Sequence, residues 1–507
     1  MINMVARIFT VTPVGFEGAV VEVECDQKKG LPAIQIVGMG TKSVDEAKER
    51  VRSAITNSLL EFPTRKITIN LAPADLTKDG THFDLPIALA ILMSSGQLRQ
   101  ADVTGAMFAG ELALDGSVRP IKGAISIAQT AKSHKIERLF VPTANVSQAM
   151  LVEGIEVIGV TSLKELFLHL KGEVRITPVA TAPTAPKSVQ RAHETLDDVY
   201  GQDQAKRAIT IAVAGRHNIL LTGPPGAGKT MLARVMLSLM PPLTPDERIA
   251  VTKLHSLAGE IDGAVITDRP FRSPHHTTSP VALIGGGPKA RPGEISLAHL
   301  GVLFMDEMPE YPRSVLETLR QPLEDKKIAI TRAAARTVYP ADFMLVATMN
   351  PCPCGYLGDS TKECSCTMTQ ILSYQKRLSG PLLDRIDLIV TVSRVPNQTL
   401  LQQKSVNYSQ HKTALELIQN ASFLQNNRYK SSVKYNSSLS SSQVQRQIKL
   451  SAEARSLLSL ASDKLGLSAR SYFRVIKVAR TIADLESSEA VEKQHVSEAL
   501  QYRGQTS

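Results

Sequence analysis

Apolar and polar positions change period several times along the chain, and each change marks an element. Residues 20–24 (Val-Val-Glu-Val-Glu) and 66–70 (Lys-Ile-Thr-Ile-Asn) alternate, the period-two pattern of strands with one buried face. Residues 43–58 and 84–93 repeat apolar positions at helical spacing. Strands and helices therefore interleave up to about residue 172. Farther on, three short apolar runs each end in polar residues: 218–222 (Asn-Ile-Leu-Leu-Thr), 301–307 (Gly-Val-Leu-Phe-Met-Asp-Glu) and 345–350 (Leu-Val-Ala-Thr-Met-Asn). Runs of this kind suit strands buried on both faces of a parallel sheet. Residues 465–485 read as a long amphipathic helix after a short cap. The Pro/Thr/Ala stretch 172–187 reads as an extended linker. A polar zone, 402–445, with Ser-rich 431–442, reads as a loop joining helices. The expected organisation is 1–172, a linker 173–194, a core 195–395 and a helical segment 396–507.

Between the first apolar run and an apolar-periodic helix at 231–240 stands Gly223-Pro-Pro-Gly-Ala-Gly-Lys-Thr230. In a strand–loop–helix context, G-x-x-x-x-G-K-[ST] is a phosphate-binding loop. Gly223, Gly226 and Gly228, spaced by Pro224, Pro225 and Ala227, let backbone N–H groups turn inward around an anion. The following helix adds its positive N-terminal end. Lys229 is expected to reach the β- and γ-phosphates of ATP and Thr230 to hold Mg²⁺. The alternative is a glycine turn with no ligand.

Composition narrows the picture. The chain has 507 residues, 43% hydrophobic and 21% charged, a globular balance at a length suited to about three domains. A net charge of +10 suits a polyanionic partner, with a solvated basic surface as the plain alternative. No Trp and only 4% aromatics argue against a base-stacking surface. The first ten residues lack the order of a signal peptide, and no apolar run is long enough for a membrane span. Five cysteines, four of them clustered, do not resemble a secreted disulfide framework. A cytoplasmic protein with no membrane partner is expected. Cys352, Cys354, Cys364 and Cys366 could together satisfy a tetrahedral structural Zn²⁺. Their C-x-C spacing is tighter than usual, and four reduced thiols without metal remain the other reading.

Val199-Tyr-Gly-Gln202 resembles the adenine-pocket segment of AAA+ proteins. A strand end facing the phosphate loop puts Asp306 on the Mg²⁺ shell and leaves Glu307 to polarise the attacking water. Asn350 is then placed like the AAA+ sensor-1 group. Arg385, within Ser379-Gly-Pro-Leu-Leu-Asp-Arg-Ile-Asp387, sits where this class carries its arginine finger, which a neighbouring subunit would supply. A surface pair with Asp384 or Asp387 is the alternative. The Gly/Pro-rich insertion 269–294 is too long for a mere connection. Its Arg272, His275, His276, Lys289 and Arg291 are candidates to line the pore of a ring. The adjacent histidines lack the company of other ligands that a metal site needs.

Leu76-Thr-Lys-Asp-Gly-Thr-His-Phe-Asp-Leu-Pro-Ile-Ala88 and Gly110-Glu-Leu-Ala-Leu-Asp-Gly-Ser-Val-Arg-Pro120 resemble the protease domain of Lon, a ribosomal-S5-like α/β fold. Thr81-His-Phe-Asp84 and Gly123-Ala-Ile-Ser126 occupy the two places where a Ser–Lys dyad would stand, so no protease activity is expected. Taken with the phosphate loop, the insertion, Met305-Asp-Glu-Met-Pro-Glu310 and Asn350-Pro-Cys-Pro-Cys-Gly355, the chain resembles the ComM/YifB group of magnesium-chelatase-like AAA+ proteins over nearly its whole length. The resemblance implies an α/β multidomain fold: a Lon-like domain, an AAA+ core with a parallel sheet and a C-terminal helical lid. Arg470 matches the family's sensor-2 arginine. The implied function is that of a hexameric, ATP-driven DNA motor promoting branch migration during natural transformation, acting on single-stranded or branched DNA. The competing readings are a chelatase-type motor that remodels protein partners and a scaffold that only binds nucleotide.

Overall fold

The computed structural model describes residues 5–178, 194–287, 290–331, 336–359, 362–395, 409–431 and 433–503. Most of the expected linker, Lys289 of the insertion and the start of the polar zone lie outside the described residues. The N-terminal sheet has seven strands, in the order Ala33–Val37, Lys66–Ala72, Glu17–Lys28, Ala6–Val14, Ala106–Phe108, Arg138–Pro142 and Glu156–Val160. Glu17–Lys28 runs antiparallel to both its neighbours and the other pairs are parallel. The alternation explains the strands: Val21, Val23 and Cys25 are buried, with Val23 opposite Leu71 and Cys25 opposite Ile69. Helix Asp84–Ser94 is apolar on every side and buried from Asp84 to Met93. The helix expected over 43–58 is two pieces, Lys42–Asp45 and Ala47–Asn57.

At the Lon-like positions the side chains are packed away. His82 and Ser126 are buried. Asp84 accepts from Arg50 Nε (2.7 Å), Arg50 Nη2 (2.9 Å) and the Leu112 amide (3.2 Å). The geometry is that of a satisfied interior ion pair.

The core sheet has five parallel strands, ordered Phe271–Arg272, Val302–Met305, Met344–Met349, Ile219–Thr222 and Leu388–Thr391. All C-terminal strand ends share one edge, carrying the phosphate loop, Asp306, Glu307 and Asn350, while the segments entering the strands share the opposite edge. Helix Pro245–Ala258 ties this core to the N-terminal sheet. There, buried Lys253 donates to Gln129 Oε1 (2.6 Å) and Ser256 Oγ accepts from the Gly123 amide (3.0 Å).

The C-terminal helices are Ser409–Tyr429, Ser441–Gln447, Ala452–Leu465, Ala469–Leu485 and Lys493–Gln501. Ile418, Val475, Ile482 and Val496 share one apolar cluster with Ile219 and Leu221 of the sheet. The reading of 402–445 as a loop needs correction. Its described part contains the 21-residue helix Ser409–Tyr429, which buries Ala414, Ile418, Ala421, Gln425 and Tyr429. That stripe at spacings of three and four residues suffices for a helix packed on one side, even with mostly polar residues around it.

Candidate nucleotide-binding site

The phosphate loop leaves Ile219–Thr222 and enters helix Lys229–Leu239. Gly226 and Gly228 adopt φ of +77° and +81°, a region that side chains avoid. A Cβ on either would meet nothing within 4 Å, so the hollow of the loop is open. Lys229 folds back into it. Its Nζ donates to the carbonyls of Gly223 (2.5 Å) and Pro224 (3.0 Å) and to Asn350 Oδ1 (3.0 Å). All three partners are neutral oxygens. Burial pushes the amine below the usual lysine range, against the pull of the Asp306 and Glu307 carboxylates. An anion in the loop would reinforce that pull. Thr230 is exposed at the helix start. These features, an open glycine cradle, a lysine on neutral oxygens and a free helix N-terminus, fit a nucleoside triphosphate.

Asp306 and Glu307 are both exposed just past Val302–Met305. Thr348 on the adjacent strand ties them together: its Oγ1 donates to Asp306 Oδ1 (2.6 Å) and accepts from the Glu307 amide (2.8 Å). Glu307 stands at φ +49°, a conformation that costs a non-glycine residue about 1–3 kcal/mol. Asn350 Nδ2 donates to Glu307 Oε1 at 3.4 Å. Lys229, Asn350, Glu307, Thr348 and Asp306 thus form one unbroken chain of polar contacts. Gln202 (φ +57°) does not face outward; its amide donates to the carbonyls of Ala227 (2.8 Å) and Ser393 (3.1 Å), fastening the loop to the last strand.

Arg385 and Arg470 lie elsewhere. Both meet Glu324, Arg385 through Nη2 and Arg470 through Nη2 at 2.8 Å. Their cleft, about 570 Å³, also receives Arg216, Lys326, Arg474 and Lys477. It opens where Asn218, Phe343 and Asp387 enter the sheet, at the edge opposite the phosphate loop. The four-residue strand Ile219–Thr222 alone separates the two edges by ~13 Å. Glu324, rather than Asp384 or Asp387, is the carboxylate that Arg385 pairs with.

The insertion is more ordered than a loop, holding helix Pro280–Ile284 and a hairpin, Gly285–Gly286 with Arg291–Pro292. Arg272 is not available to a pore: its guanidinium binds Glu294 (2.7 and 2.8 Å) and Glu260 (3.0 Å to each oxygen). Two carboxylates so close make it a structural tie. His275 and Arg291 are exposed, and His276 stands edge-on to Tyr311.

The four clustered cysteines converge, their sulfurs all lying within 4.8 Å of one another. Cys352 is 3.4 Å from Cys354 and 3.6 Å from Cys364, and Cys354 is 3.6 Å from Cys364. Tetrahedral Zn²⁺ with bonds of about 2.3 Å needs sulfurs about 3.8 Å apart. Among the described residues this is the one His/Cys/Asp/Glu group with metal-binding geometry.

Three family profiles match the chain: magnesium chelatase subunit ChlI over residues 195–400, subunit ChlI of Mg-chelatase over 23–145, and the ChlI C-terminal region over 409–503. Competence protein ComM of Haemophilus influenzae is 40% identical over 502 residues, 98% of this chain and 97% of that protein. The uncharacterized protein YifB of Escherichia coli is 41% identical over 500 residues, 98% and 96% of the two chains. The chain belongs to the ComM/YifB family of magnesium-chelatase-like AAA+ proteins. Part of it is also similar to Lon protease 2 of Bacillus subtilis, 29% identical over 162 residues, 30% of this chain and 29% of that protein. Among the described residues, no helix of this family member is long and apolar enough to cross a membrane.

Three residues of the site escaped sequence reasoning. Thr348 is a small polar residue inside an apolar strand, a signal that was there to be used. Glu324, at the meeting point of two arginines 61 and 146 residues away, has no local signal. Nor has Arg394, which donates to the Pro225 carbonyl at 3.2 Å.

Proposed function

We propose that this chain is an ATP-hydrolysing motor that works on DNA as a closed ring, in the manner the ComM/YifB resemblance implies. One observation carries the reading: Arg385 and Arg470 stand together at the sheet edge opposite their own phosphate loop. Neither can serve the nucleotide held by its own chain, so each is supplied to the loop of a neighbouring copy, Arg470 as well as Arg385. Gly223 to Thr230 hold the triphosphate, Lys229 leaves its carbonyl partners for the β- and γ-phosphates, and Thr230 and Asp306 hold Mg²⁺. The nucleotide and its metal supply the phosphoryl group and the neutralising charge. Glu307, aimed by its left-handed backbone and by Asn350, takes the proton of the attacking water. Arg385 and Arg470 exchange Glu324 for the developing phosphoryl charge.

Net charge of +10 and the name of the Haemophilus relative support DNA, single-stranded or branched, as the track. With few aromatics, contact runs through the phosphate backbone, with weak sequence preference and steep salt dependence. We read 1–172 as a Lon-like domain without a protease dyad, 195–395 as the motor, 396–507 as its lid, and the cytoplasm as the place of work, promoting branch migration during transformation. The four cysteines hold one structural Zn²⁺.

Mixing Arg385→Ala with Lys229→Ala chains tests the ring, since some interfaces then pair an intact finger with an intact loop. ATP turnover returns in part; a mixture that stays inactive although both variants assemble with the parent overturns the assignment. If forked or junction DNA neither binds nor stimulates turnover, remodelling of a protein partner becomes the better reading.

A further inference from the structure

The thiolate loop and the phosphate loop touch. Gly355, inside the cysteine cluster, has φ +85°, and a Cβ there would lie 2.7 Å from Pro225 Cδ. The backbone of the cysteine loop therefore rests directly on the phosphate loop. Arg394 makes a second connection. Its Nη2 donates to the Pro225 carbonyl (3.2 Å), its Nε lies 3.7 Å from Asp359, and its guanidinium stands 5.9 Å from the Tyr356 ring. The third connection is covalent: Asn350, which accepts from Lys229, is two residues before Cys352.

Nothing regular holds the cysteine loop in shape. Among its described residues, 351–359 and 362–367, there is no helix or strand. Two internal turns, Gly355 N to Cys352 O at 3.0 Å and Asp359 N to Tyr356 O at 3.1 Å, and the convergence of the four sulfurs organise it. A metal bound by those sulfurs would close two chain segments into one rigid unit, because binding free energy at such a site is ordering free energy. The ordered unit then holds Gly355 and Arg394 against Pro225.

We propose that the four-cysteine loop is a zinc-dependent brace on the phosphate loop, so that metal occupancy sets how tightly nucleotide binds. This rests on the reading of 223–230 as a nucleotide site and adds a control to it. Removing the metal frees the loop, Pro225 loses its two supports, and the cradle must be ordered at the expense of nucleotide affinity.

The test uses the full chain, purified under reducing conditions without chelator, with zinc measured by elemental analysis and nucleotide affinity by anisotropy of a fluorescent ADP analogue. One zinc per chain is expected. Stripping the metal weakens ADP binding by about tenfold, and returning Zn²⁺ restores it. Gly355→Ala keeps the four thiolates and the zinc yet weakens binding through its clash with Pro225, and Arg394→Ala does so to a smaller extent. Zinc present, with unchanged affinity after stripping, overturns the brace while leaving the metal site intact. Should the stripped chain unfold, Gly355→Ala decides: full zinc with parental affinity also overturns the brace. Absence of zinc removes the metal site itself, and a parent chain that binds no nucleotide removes the reading of the phosphate loop.

Discussion

The two edges of the core sheet are built from the same parallel strands and could hardly differ more. On the phosphate edge, charged groups stand without opposite charges bonded to them: Lys229 on three neutral oxygens, Asp306 held by Thr348, Glu307 by Asn350 and, through its backbone amide, by the Thr348 hydroxyl. On the opposite edge four cations meet carboxylates within the chain, Arg385 and Arg470 at Glu324, Arg474 at Asp387 and Lys326 at Asp342, while Arg216 and Lys477 donate to carbonyls. The first edge keeps its charges available to a ligand. The second keeps Arg385 and Arg470 on Glu324 until something stronger than a half-exposed carboxylate arrives. A triphosphate, with its greater charge, would be such a competitor.

The sharpest way to break this contrast is to remove one cation from each edge. Lys229→Ala should lower nucleotide affinity on the order of 100-fold, since it takes away a charge-assisted bond to phosphate. Arg385→Ala should leave affinity within about threefold while stopping turnover, because transition-state charge alone engages a finger. Equal losses of affinity in the two, measured by titration with a fluorescent nucleotide, would erase the distinction between the edges.

Next in size, Glu307→Gln should bind ATP as the parent does and hydrolyse it roughly 100-fold more slowly, the amide keeping shape without basicity. Steady-state turnover equal to that of the parent would remove Glu307 from its role. The opposite edge has its own signature, in acid. Burial alone would push the Asp387 carboxyl up, but His217, Arg474 and Lys477 outweigh it and hold the group down at about 2. A depressed acid stabilises the fold above its unfolded value and loses that contribution as pH falls through the folded one. Stability should therefore decline between about pH 4 and pH 2, by on the order of 2 kcal/mol, and Asp387→Asn should flatten that limb of a thermal-melt series. The smallest effect belongs to Glu324→Gln. Its pairs are half-exposed and worth less than about 1 kcal/mol to stability, so the melting temperature should barely move.

How much of this was legible beforehand differs in the same way between the edges. Parallel strands end together, so short motifs were enough to bring Gly223–Thr230, Asp306, Glu307 and Asn350 to one place. Each motif carries its own geometry in a few consecutive residues. Glu324 carries none, and its meeting with Arg385 and Arg470 depends on packing between the sheet and the last helices. Arg272 shows the reverse failure: a basic residue in a Gly/Pro-rich insertion looked available, but its partners Glu260 and Glu294 are 12 and 22 residues distant. Helix Ser409–Tyr429 is masked by the polar composition of 402–445. Its buried stripe is short-sided and partly polar, which mean polarity conceals and periodicity does not.

On the proposed reading, halves of a site on opposite edges also dictate how copies can add. The contact they demand is heterologous, front to back, so a two-fold dimer, which presents like surface to like, completes no site at all. An open row always has one phosphate edge and one arginine edge left over. Only closure uses both, and the last copy to join therefore contributes two finished sites where each earlier addition to the first copy contributed one.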